Sequence, residues 1–491
     1  MMRRVLPALL FLTACASPES VDTGDSLATL GDAPALLGEG VMVHLFEWTW
    51  NDIATECTEV LGPAGFSAVQ VSPPTENHIV GGRPWWERYQ PVSYQFVTRS
   101  GNREEFAAMV QTCADAGVDI VVDAVINHTT DADLEHPTFE MTGRGTAGTE
   151  FTSYNFPGLY SPEDFHHCGL AEGDDIADFS DREQVEQCEL VDLADLDTAS
   201  PKVRSTLAGY LSDLASLGVA GIRIDAARHM ATDDIRAILD EADWQGEVVQ
   251  EVTTNNDGDR YLQNGAVTNF SFGFLISRAV SEGDLSAFVS GPGWTSAGHS
   301  GETSLVFVDN HDTQRHGQGV LNYKDPRHPM AVALMLTIPY GRPRVMSGYR
   351  FDDDSAGPPA VDEVTQRVHG PDGIGCGTAW ECEHRRALTL GLVGFERVTR
   401  GQPLGRIQEA GPDRVAFVRG DRGWAAFNRS SEPWEVVHQT GLPGVRYCDV
   451  AQGPPVNGAC AGGTVRMDAG MVSATVPAGG VVAIHVEAQA Q

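Results

Sequence analysis

The sequence predicts an α/β protein built on a (β/α)8 TIM barrel, with a small domain inserted after strand 3 and a C-terminal all-β sandwich domain. Three observations support this prediction. Apolar, strand-like runs alternate with helical patterns across residues 40–128 and 199–399, which is typical of a parallel sheet wrapped by helices. A polar, glycine-rich segment interrupts the alternation at residues 129–198, and short valine-rich runs replace it over residues 400–491.

Eight apolar runs supply the number of strands in a closed barrel. They cover residues 41–46, 66–71, 118–124, the run ending at Asp225, and 247–251, 267–272, 304–308 and 344–346. Helical spacing is clearest at residues 52–61, 104–116 and 201–217. The segment at 129–198 is too long for an ordinary loop and predicts a small domain. In the C-terminal domain, residues 415–419 and 424–428 flank a Gly-Asp-Arg-Gly turn, which predicts a hairpin.

The N-terminus predicts an export signal followed by a tether. Arg3 and Arg4 precede an apolar run at residues 5–13 that is too short to span a bilayer, and Cys15 follows it closely. This pattern resembles a bacterial lipoprotein signal peptide (residues 1–14), with Cys15 as the lipidated first residue of the mature chain. The alternative is an ordinary secretory signal with a chance cysteine. Residues 15–39 are mostly small and acidic and predict a flexible tether.

We therefore expect an exported bacterial protein, either a cell-envelope lipoprotein or a secreted protein. The residue after Cys15 is Ala16 rather than aspartate, which favours the outer membrane. The formal net charge of −35 comes from 68 acidic and 33 basic residues. Such a surface repels nucleic acid and anionic membranes. We expect no nucleic-acid partner, and contact with a membrane only through the lipid anchor.

Eight of the nine cysteines remain when Cys15 is set aside, an even number that predicts disulfides in an exported protein. Cys376 with Cys382, and Cys448 with Cys460, are plausible local pairs. The other four, Cys57, Cys113, Cys168 and Cys188, would supply two more bridges whose connectivity the spacing leaves open. The sequence has no Cys-x-x-Cys pair, so a zinc site is the weaker alternative.

Acidic residues close four of the predicted strands. Asp225 follows Arg223 on one face of its strand, Glu251 ends the next strand, and Asp123 and Asp312 lie at or just beyond two others. Because the carboxyl ends of parallel barrel strands meet at one rim, we expect these groups to converge. Arg223 would hold Asp225 ionised. The simpler alternative is a structural Arg–Asp pair.

Several carboxylates around one cleft are what glycoside hydrolysis requires. One carboxylate attacks the anomeric carbon, and another carboxyl group protonates the leaving oxygen. Two adjacent tryptophans, Trp85 and Trp86, lie in a polar loop after the second strand. Exposed tryptophans favour a stacking ligand such as a sugar ring, and a locally buried aromatic cluster is the alternative.

Together these stretches closely resemble the α-amylases of the large retaining, starch-acting barrel family, and specifically their animal-type, chloride-dependent branch. The resemblance runs from His44 to about residue 490. Its diagnostic stretches are residues 70–74, 85–94, 123–128, 221–230, 250–252 and 307–315. Each is modestly specific alone, and their combination is highly specific.

The resemblance implies residue roles. Asp225 would be the nucleophile, Glu251 the general acid and base, and Asp312 the group that orients the sugar and stabilises the transition state. The implied substrate-binding residues are Trp85, Trp86, Tyr89, Gln90, His128, Arg223, Arg228, His229 and His311. Either of His128 and His311 could instead be a satisfied structural group.

The resemblance also implies two ions. Calcium would bind between the insert and the barrel through the side chains of Asn127 and Asp195 and the backbone carbonyls of Glu186 and His229. Chloride would bind Arg223, Asn310 and Arg344, and its charge near Glu251 would favour the protonated acid. The alternative for Arg344 is a simple core salt bridge.

The implied activity is endo-acting hydrolysis of α-1,4-glucosidic bonds in starch, glycogen and maltooligosaccharides, with retention, by a monomer. One alternative is an α-glucan transglycosylase on the same barrel. The other is a non-catalytic starch-binding surface lipoprotein, which would be expected to have lost at least one of the three acids.

Overall fold

The computed structural model describes residues 37–131, 143–253, 255–315, 317–444 and 446–490. The predicted signal peptide, Cys15 and nearly all of the tether lie outside the described residues. Among the described residues, no helix combines the length and apolarity that crossing a membrane requires.

Eight parallel strands close into a barrel, as predicted. They are β1 (Met42–Leu45), β2 (Ala68–Val71), β3 (Asp119–Ala124), β4 (Gly221–Ile224), β5 (Glu247–Gln250), β6 (Ala266–Asn269), β7 (Ser304–Val306) and β8 (Arg342–Ser347). Each strand pairs in parallel with the next along the chain, and β1 closes the barrel by pairing with both β2 and β8. Every βα loop therefore leaves at the same rim.

Helices surround the barrel, and one α-helix of the described residues lies in the insert. Those of six residues or more are α1 (Trp50–Glu56), α2 (Arg103–Asp115), α3 (Arg182–Gln187), α4 (Pro201–Ser216), α5 (Thr232–Glu241), α6 (Asn255–Tyr261), α7 (Phe270–Arg278), α8 (Leu285–Ser290), α9 (His328–Thr337) and α10 (Ala387–Thr399). The predicted helix at 52–61 is α1 followed by a π-helical turn, Cys57–Leu61. An Asn102–Glu105 capping box begins α2, which satisfies two backbone N–H groups left free at a helix start.

The prediction of a strand at 267–272 was wrong at its C-terminal half. The strand β6 ends at Asn269, and Phe270 already begins α7. The Asn269 side chain accepts a hydrogen bond from the backbone N–H of Phe272, which caps the helix. The apolar residues after Asn269 fit a buried strand and a buried helix equally well by pattern, so the cap decides the boundary.

The barrel interior changes from apolar to polar along its axis. Near the amino ends of the strands, five buried side chains from five strands form an apolar plug: Met42, Ala68, Val121, Val249 and Leu305. Two positions after the first three of these lie the buried polar residues His44, Gln70 and Asp123, and the buried arginines Arg223 and Arg344 lie on β4 and β8. Apolar side chains thus fill the interior near the amino ends, and a cluster of polar and charged side chains lies nearer the carboxyl ends, where the loops begin.

The segment between β3 and β4 leaves and re-enters the barrel through an antiparallel pair, His128–Asp131 with Leu193–Asp195. A second short pair joins Gly143–Arg144 to Glu150–Phe151, and a disulfide links Cys168 to Cys188. These contacts make the insert a compact lobe on the carboxyl rim.

The C-terminal region is a sandwich of two four-stranded sheets. The strands are β9 (Leu404–Glu409), β10 (Arg414–Arg419), β11 (Gly423–Asn428), β12 (Trp434–Gln439), β13 (Arg446–Cys448), β14 (Thr464–Asp468), β15 (Met471–Val476) and β16 (Gly480–His485). One sheet has the order β9-β10-β11-β16 and the other β12-β15-β14-β13. The predicted hairpin is the β10–β11 pair, and the buried side chains of Trp424 and Trp434 lie in the core between the sheets.

Four disulfides join cysteines of the described residues. The predicted local pairs, Cys376–Cys382 and Cys448–Cys460, are both present, and the other two bridges are Cys57–Cys113 and Cys168–Cys188. The Cys57–Cys113 bridge joins the end of α1 to α2. Disulfides of this number are typical of exported proteins.

Candidate active site

One buried arginine connects three carboxylates at the carboxyl rim. The guanidinium of Arg223 on β4 lies 2.5 Å from Asp123 Oδ1, 2.5 Å from Asp225 Oδ1 and 2.6 Å from Glu251 Oε1. Arg223 and Asp123 are at most 2 % exposed in their side chains, whereas Asp225 and Glu251 retain 10 % and 12 %. The two carboxylates nearer the rim therefore face the cleft.

Local backbone geometry fixes Glu251 next to Asp225. Ala226, directly after Asp225, has φ 48°, a left-handed conformation that is uncommon outside glycine. In this conformation its backbone N–H donates to Glu251 Oε2 at 3.0 Å. Glu251 is thus hydrogen-bonded through one oxygen to β4's end and through the other to Arg223.

The loop after β7 brings the fourth carboxylate. Asn310 Oδ1 accepts hydrogen bonds from the backbone N–H groups of Asp312 (3.1 Å) and Thr313 (2.7 Å), which folds the loop into a tight turn. His311 Nε2 lies 3.3 Å from Asp312 Oδ2. The Asp312 side chain is 37 % exposed, more than any other carboxylate of the site.

Burial is the main cause of the raised pKa values of Asp225 and Asp312. It raises the pKa of Asp225 well above its ordinary value; Arg223 opposes this shift, while the charges of Glu251 and Asp123 add to it. The expectation that Arg223 by itself holds Asp225 ionised is therefore too simple, because one cation is shared by three carboxylates. Although Asp312 opens to the cleft, the surrounding protein desolvates it and raises its pKa to about 7, with Glu251 as the next cause.

An aromatic wall lines one side of this rim. Tyr89 stacks on the His311 ring with centroids 5.1 Å apart, and Trp85 meets the same ring edge-on at 5.5 Å. The Tyr89 hydroxyl donates to Asp123 Oδ2 at 2.9 Å. Trp85 is 8 % exposed, so it belongs to a buried aromatic cluster as the alternative expectation held, whereas Trp86 is only partly buried. Gln90 is held through Oε1 by His78 Nδ1 at 3.2 Å.

Two histidines and an arginine complete the rim on the insert side. His128 Nε2 contacts the backbone carbonyl of Tyr89 at 3.0 Å, and burial lowers its pKa to about 4, so the ring is neutral. His229 Nδ1 contacts the Val185 carbonyl at 3.2 Å, and burial lowers its pKa to about 3. Arg228 donates to Asp257 Oδ2 and to the Phe179 carbonyl.

Residues predicted to hold calcium lie on adjoining segments. Asn127 Nδ2 donates to Asp195 Oδ1 at 3.1 Å, and His166 Nδ1 contacts the other oxygen at 2.7 Å. Burial raises the pKa of Asp195 to about 6. The Glu186 side chain pairs with Arg182 and Arg260. Within the described residues, no group of three or more His, Cys, Asp or Glu side chains forms a metal cluster.

Two of the three predicted anion ligands, Arg223 and Arg344, are buried arginines whose charges act on each other, and the third, Asn310, is buried in the loop after β7. Arg344 on β8 is 2 % exposed and donates to Gln70 Oε1 at 2.5 Å. Burial, and then the charge of Arg223, lowers its pKa to about 10. Among the ion pairs of the described residues, none includes Arg344, so the core salt bridge considered as the alternative is not formed there. A buried arginine without a carboxylate partner suits an anion.

Sequence reasoning missed several members of the site. Asp123 was noted only as a strand-end acid, yet it anchors Arg223 and Tyr89. Arg315 was named only as the end of a diagnostic stretch, without a role: it lies over the Phe351 ring at 4.3 Å and the Trp85 ring at 4.9 Å, and it donates to the His311 carbonyl. Its position three residues after Asp312 was the available signal.

A closed parallel barrel with several carboxylates and an aromatic wall on its carboxyl rim is the arrangement of a glycoside hydrolase. The comparisons with known proteins agree. The family model described as "Alpha amylase, catalytic domain" matches residues 59–270, and "Alpha amylase, C-terminal all-beta domain" matches residues 407–487.

Individual relatives cover nearly the whole chain. An "Alpha-amylase" of Thermomonospora curvata is 42 % identical over 99 % of this chain and 80 % of its own length. An "Alpha-amylase-related protein" of Drosophila pseudoobscura pseudoobscura is 42 % identical over 91 % of this chain and 93 % of its own. The crystal structure of α-amylase I from Eisenia fetida matches with a TM-score of 0.84 and 33 % identity, covering 92 % of this chain and 99 % of that one. The chain belongs to the α-amylase family.

Proposed function

We propose that the protein is an endo-acting, retaining hydrolase of α-1,4-glucosidic bonds in starch, glycogen and maltooligosaccharides. The observation that carries the proposal is the pair Asp225 and Glu251, which face the cleft from opposite sides of one buried guanidinium. A retaining glycosidase needs two such carboxyl groups close together, one to attack and one to transfer the proton.

The first step uses both groups. A carboxylate oxygen of Asp225 forms a bond to the anomeric carbon, and the glucosidic C–O bond breaks as Glu251 protonates the leaving oxygen. In the second step, water gives a proton to Glu251 and attacks the same carbon, and the Asp225 oxygen leaves. Asp312 supplies negative charge to the oxocarbenium-like transition states. The neutral His311 ring, whose Nδ1 has no hydrogen-bond partner among the described residues, can bond to a sugar hydroxyl without adding charge to the site. The neutral His128 ring contacts protein atoms through both nitrogens and would meet the sugar by packing.

The remaining predicted ligands fit a cleft that crosses the rim. Tyr89, Trp85 and the partly exposed Trp86 form the wall on one side, with Gln90 beside them, and Arg228 and His229 lie on the insert side. A solved variant of the Eisenia fetida enzyme, 34 % identical to this chain, carries a glutamate-to-glutamine change and is described as a maltohexaose complex. That relative's ligand supports a linear α-glucan here.

The test is hydrolysis of soluble starch by the mature chain, followed by viscosity, reducing ends and the anomeric form of the first products. A rapid fall in viscosity with α-anomeric products is expected. In a second assay with a single maltooligosaccharide, products longer than the one supplied would favour the transglycosylase. Bound starch without new reducing ends would favour the binding lipoprotein.

We propose that calcium joins the insert to the barrel through Asn127, Asp195 and the carbonyls of Glu186 and His229. The buried Asp195 carboxylate, desolvated beside an amide, supports this ligand set, because calcium prefers such mixed oxygen donors. Calcium would supply charge neutralisation and cross-linking there, and no reaction step.

Calcium removal is expected to lower the melting temperature of the wild-type protein, because the ion stabilises only the folded state. The Asp195→Asn variant should lose most of this calcium-dependent shift, measured by differential scanning calorimetry with chelator and with added calcium. Asp197→Asn, which changes a neighbouring and more exposed carboxylate, is the matched control and should keep the shift. Equal shifts in both variants would contradict the assignment.

We propose that chloride binds between Arg223, Asn310 and Arg344. Activity in chloride-free buffer should rise when chloride is added, since the anion would offset the repulsion between the buried guanidinium groups of Arg223 and Arg344. Arg344→Gln should abolish this response while leaving measurable basal activity, compared at constant ionic strength with a non-binding anion. An unchanged chloride response in that variant would remove the site from the proposal.

We further propose the domain bounds 40–128 with 199–399, 129–198 and 400–491, a monomeric state, and export by the N-terminal signal with lipidation at Cys15. In a bacterial host, Cys15→Ser should move the protein from the outer-membrane fraction to the soluble envelope fraction. Release of wild-type protein in the same soluble form would favour the ordinary secretory signal.

A further inference from the structure

A buried hydrogen-bonded chain lies behind the loop that carries Asp312. Asp309 begins that loop and is 2 % exposed. Its Oδ2 accepts a hydrogen bond from Gln314 Nε2 at 2.8 Å, within the loop. Its Oδ1 lies 2.9 Å from His328 Nε2, which comes from the first residue of α9. Both carboxylate oxygens are therefore occupied, one by the loop and one by the scaffold.

The hydrogen bonds that link these side chains run in one defined direction. His328 is 1 % exposed, and its second ring nitrogen, Nδ1, lies 3.2 Å from Arg386 Nη1. Because arginine can only donate, Nδ1 must accept, and the ring N–H is then on Nε2 and points at Asp309. Arg386 is held in turn by Glu381 Oε1 at 2.9 Å. The order of donation is Arg386 to His328 to Asp309.

We propose that His328 is a positioning residue for the catalytic loop: by fixing Asp309, it holds Asn310, His311 and Asp312 in their working geometry. The inference rests on the proposed hydrolysis. The loop's own hydrogen bonds shape the turn around Asn310, but the His328–Asp309 contact attaches this turn to a helix on the outside of the barrel. Supporting groups of this kind keep reacting side chains within the narrow tolerance that catalysis requires.

The decisive variants are His328→Leu and His328→Gln. Leucine removes both hydrogen bonds, whereas glutamine offers an amide N–H to Asp309 and a carbonyl oxygen to Arg386. We expect His328→Leu to lower kcat on a maltooligosaccharide by about ten-fold or more with little change in KM. A displaced Asp312 would lose more of its stabilisation of the transition state than of its contribution to substrate binding. His328→Gln should recover most of this loss.

Stability is measured in parallel, with His438→Leu as the matched control. His438 is also buried and hydrogen-bonded, to Trp424 Nε1 at 2.9 Å, but it lies in the C-terminal sandwich. That variant should lose stability and keep kcat. A His328→Leu protein that loses stability but keeps kcat within about two-fold of wild type would overturn the inference.

Arg386→Met provides the test if His328→Leu does not fold, since the Arg386 side chain is 25 % exposed. It should lower kcat about three-fold at unchanged KM, and an unchanged kcat would also overturn the inference. Wild-type activity is measured first. Its absence would refute the proposed hydrolysis, whereas an active wild type with unaffected variants would refute only the role of His328.

Discussion

Asp225→Asn should lower kcat for starch hydrolysis by at least about 10⁴-fold, because an amide cannot form the glycosyl-enzyme bond. The substitution keeps the side-chain shape, and Arg223 retains its contacts with Asp123 and Glu251. The folded structure should therefore persist, and the variant should still bind maltooligosaccharides. Reducing-end release and calorimetry of the same preparation would measure both.

Product stereochemistry gives the sharper control. An Asp225→Ala variant supplied with azide and an activated α-glucosyl substrate should yield the β-glucosyl azide, since azide enters the space of the missing carboxylate. Glu251→Ala under the same conditions should yield the α-azide, because the covalent intermediate still forms. If the two variants exchanged these outcomes, the roles of the two residues would have to be exchanged as well.

Arg223→Met removes the cation shared by the three carboxylates, and we expect it to lower both stability and kcat/KM strongly. Three buried carboxylates would lose their counter-charge, and breaking such a buried arrangement costs about 3–5 kcal/mol of stability. We expect kcat/KM at neutral pH to fall by about 10²–10³-fold. Loss of the positive charge raises the pKa of Asp225 further, so the acid limb of the pH profile should move to higher pH.

The stability deficit should depend on pH in a defined sense. The folded-state pKa of Asp225 already lies above its ordinary value, so ionising it in the folded state costs stability as the pH rises. Without Arg223 this cost grows, and the deficit relative to wild type should shrink as the pH falls and the carboxylates become protonated. Urea unfolding at several pH values measures this dependence.

Arg342→Met is the matched control for that experiment. Arg342 is also a buried arginine on a barrel strand, but it pairs with Glu247 near the amino ends of the strands. It should lose stability without moving the acid limb. A shift of the limb in both variants would mean that general loosening of the barrel, rather than the charge of Arg223, sets the pH dependence.

The sequence predicted the barrel because its strands are nearly continuous apolar runs separated by short links. It also predicted the meeting of Asp225, Glu251 and Asp312, because parallel strands bring their carboxyl ends to one rim. The three acids needed no knowledge of side-chain conformations to be placed together. The disulfides left open, Cys57–Cys113 and Cys168–Cys188, depended on tertiary packing that spacing does not encode.

Other features depended on choices among side-chain partners. Arg223 was expected to serve Asp225, but the fold divides it among three carboxylates, and the resulting balance of burial and charge is not readable from neighbours in the chain. The contact between Asp309 and His328 joins residues nineteen positions apart through a helix whose first residue gave no sequence signal. The start of α7 depended on one side-chain cap at Asn269.

The apolar plug inside the barrel has a consequence for polymeric substrates. Because Met42, Val121, Leu305 and their neighbours fill the barrel interior, the described residues leave no channel along the barrel axis from the carboxyl rim to the opposite face. Under the proposed activity, a long glucan would lie across the mouth rather than thread through the barrel, with both of its ends free in solution. Cleavage would then not require an end of the glucan to reach the catalytic groups. Branches and long stretches on either side of the cleaved bond would not by themselves prevent cleavage.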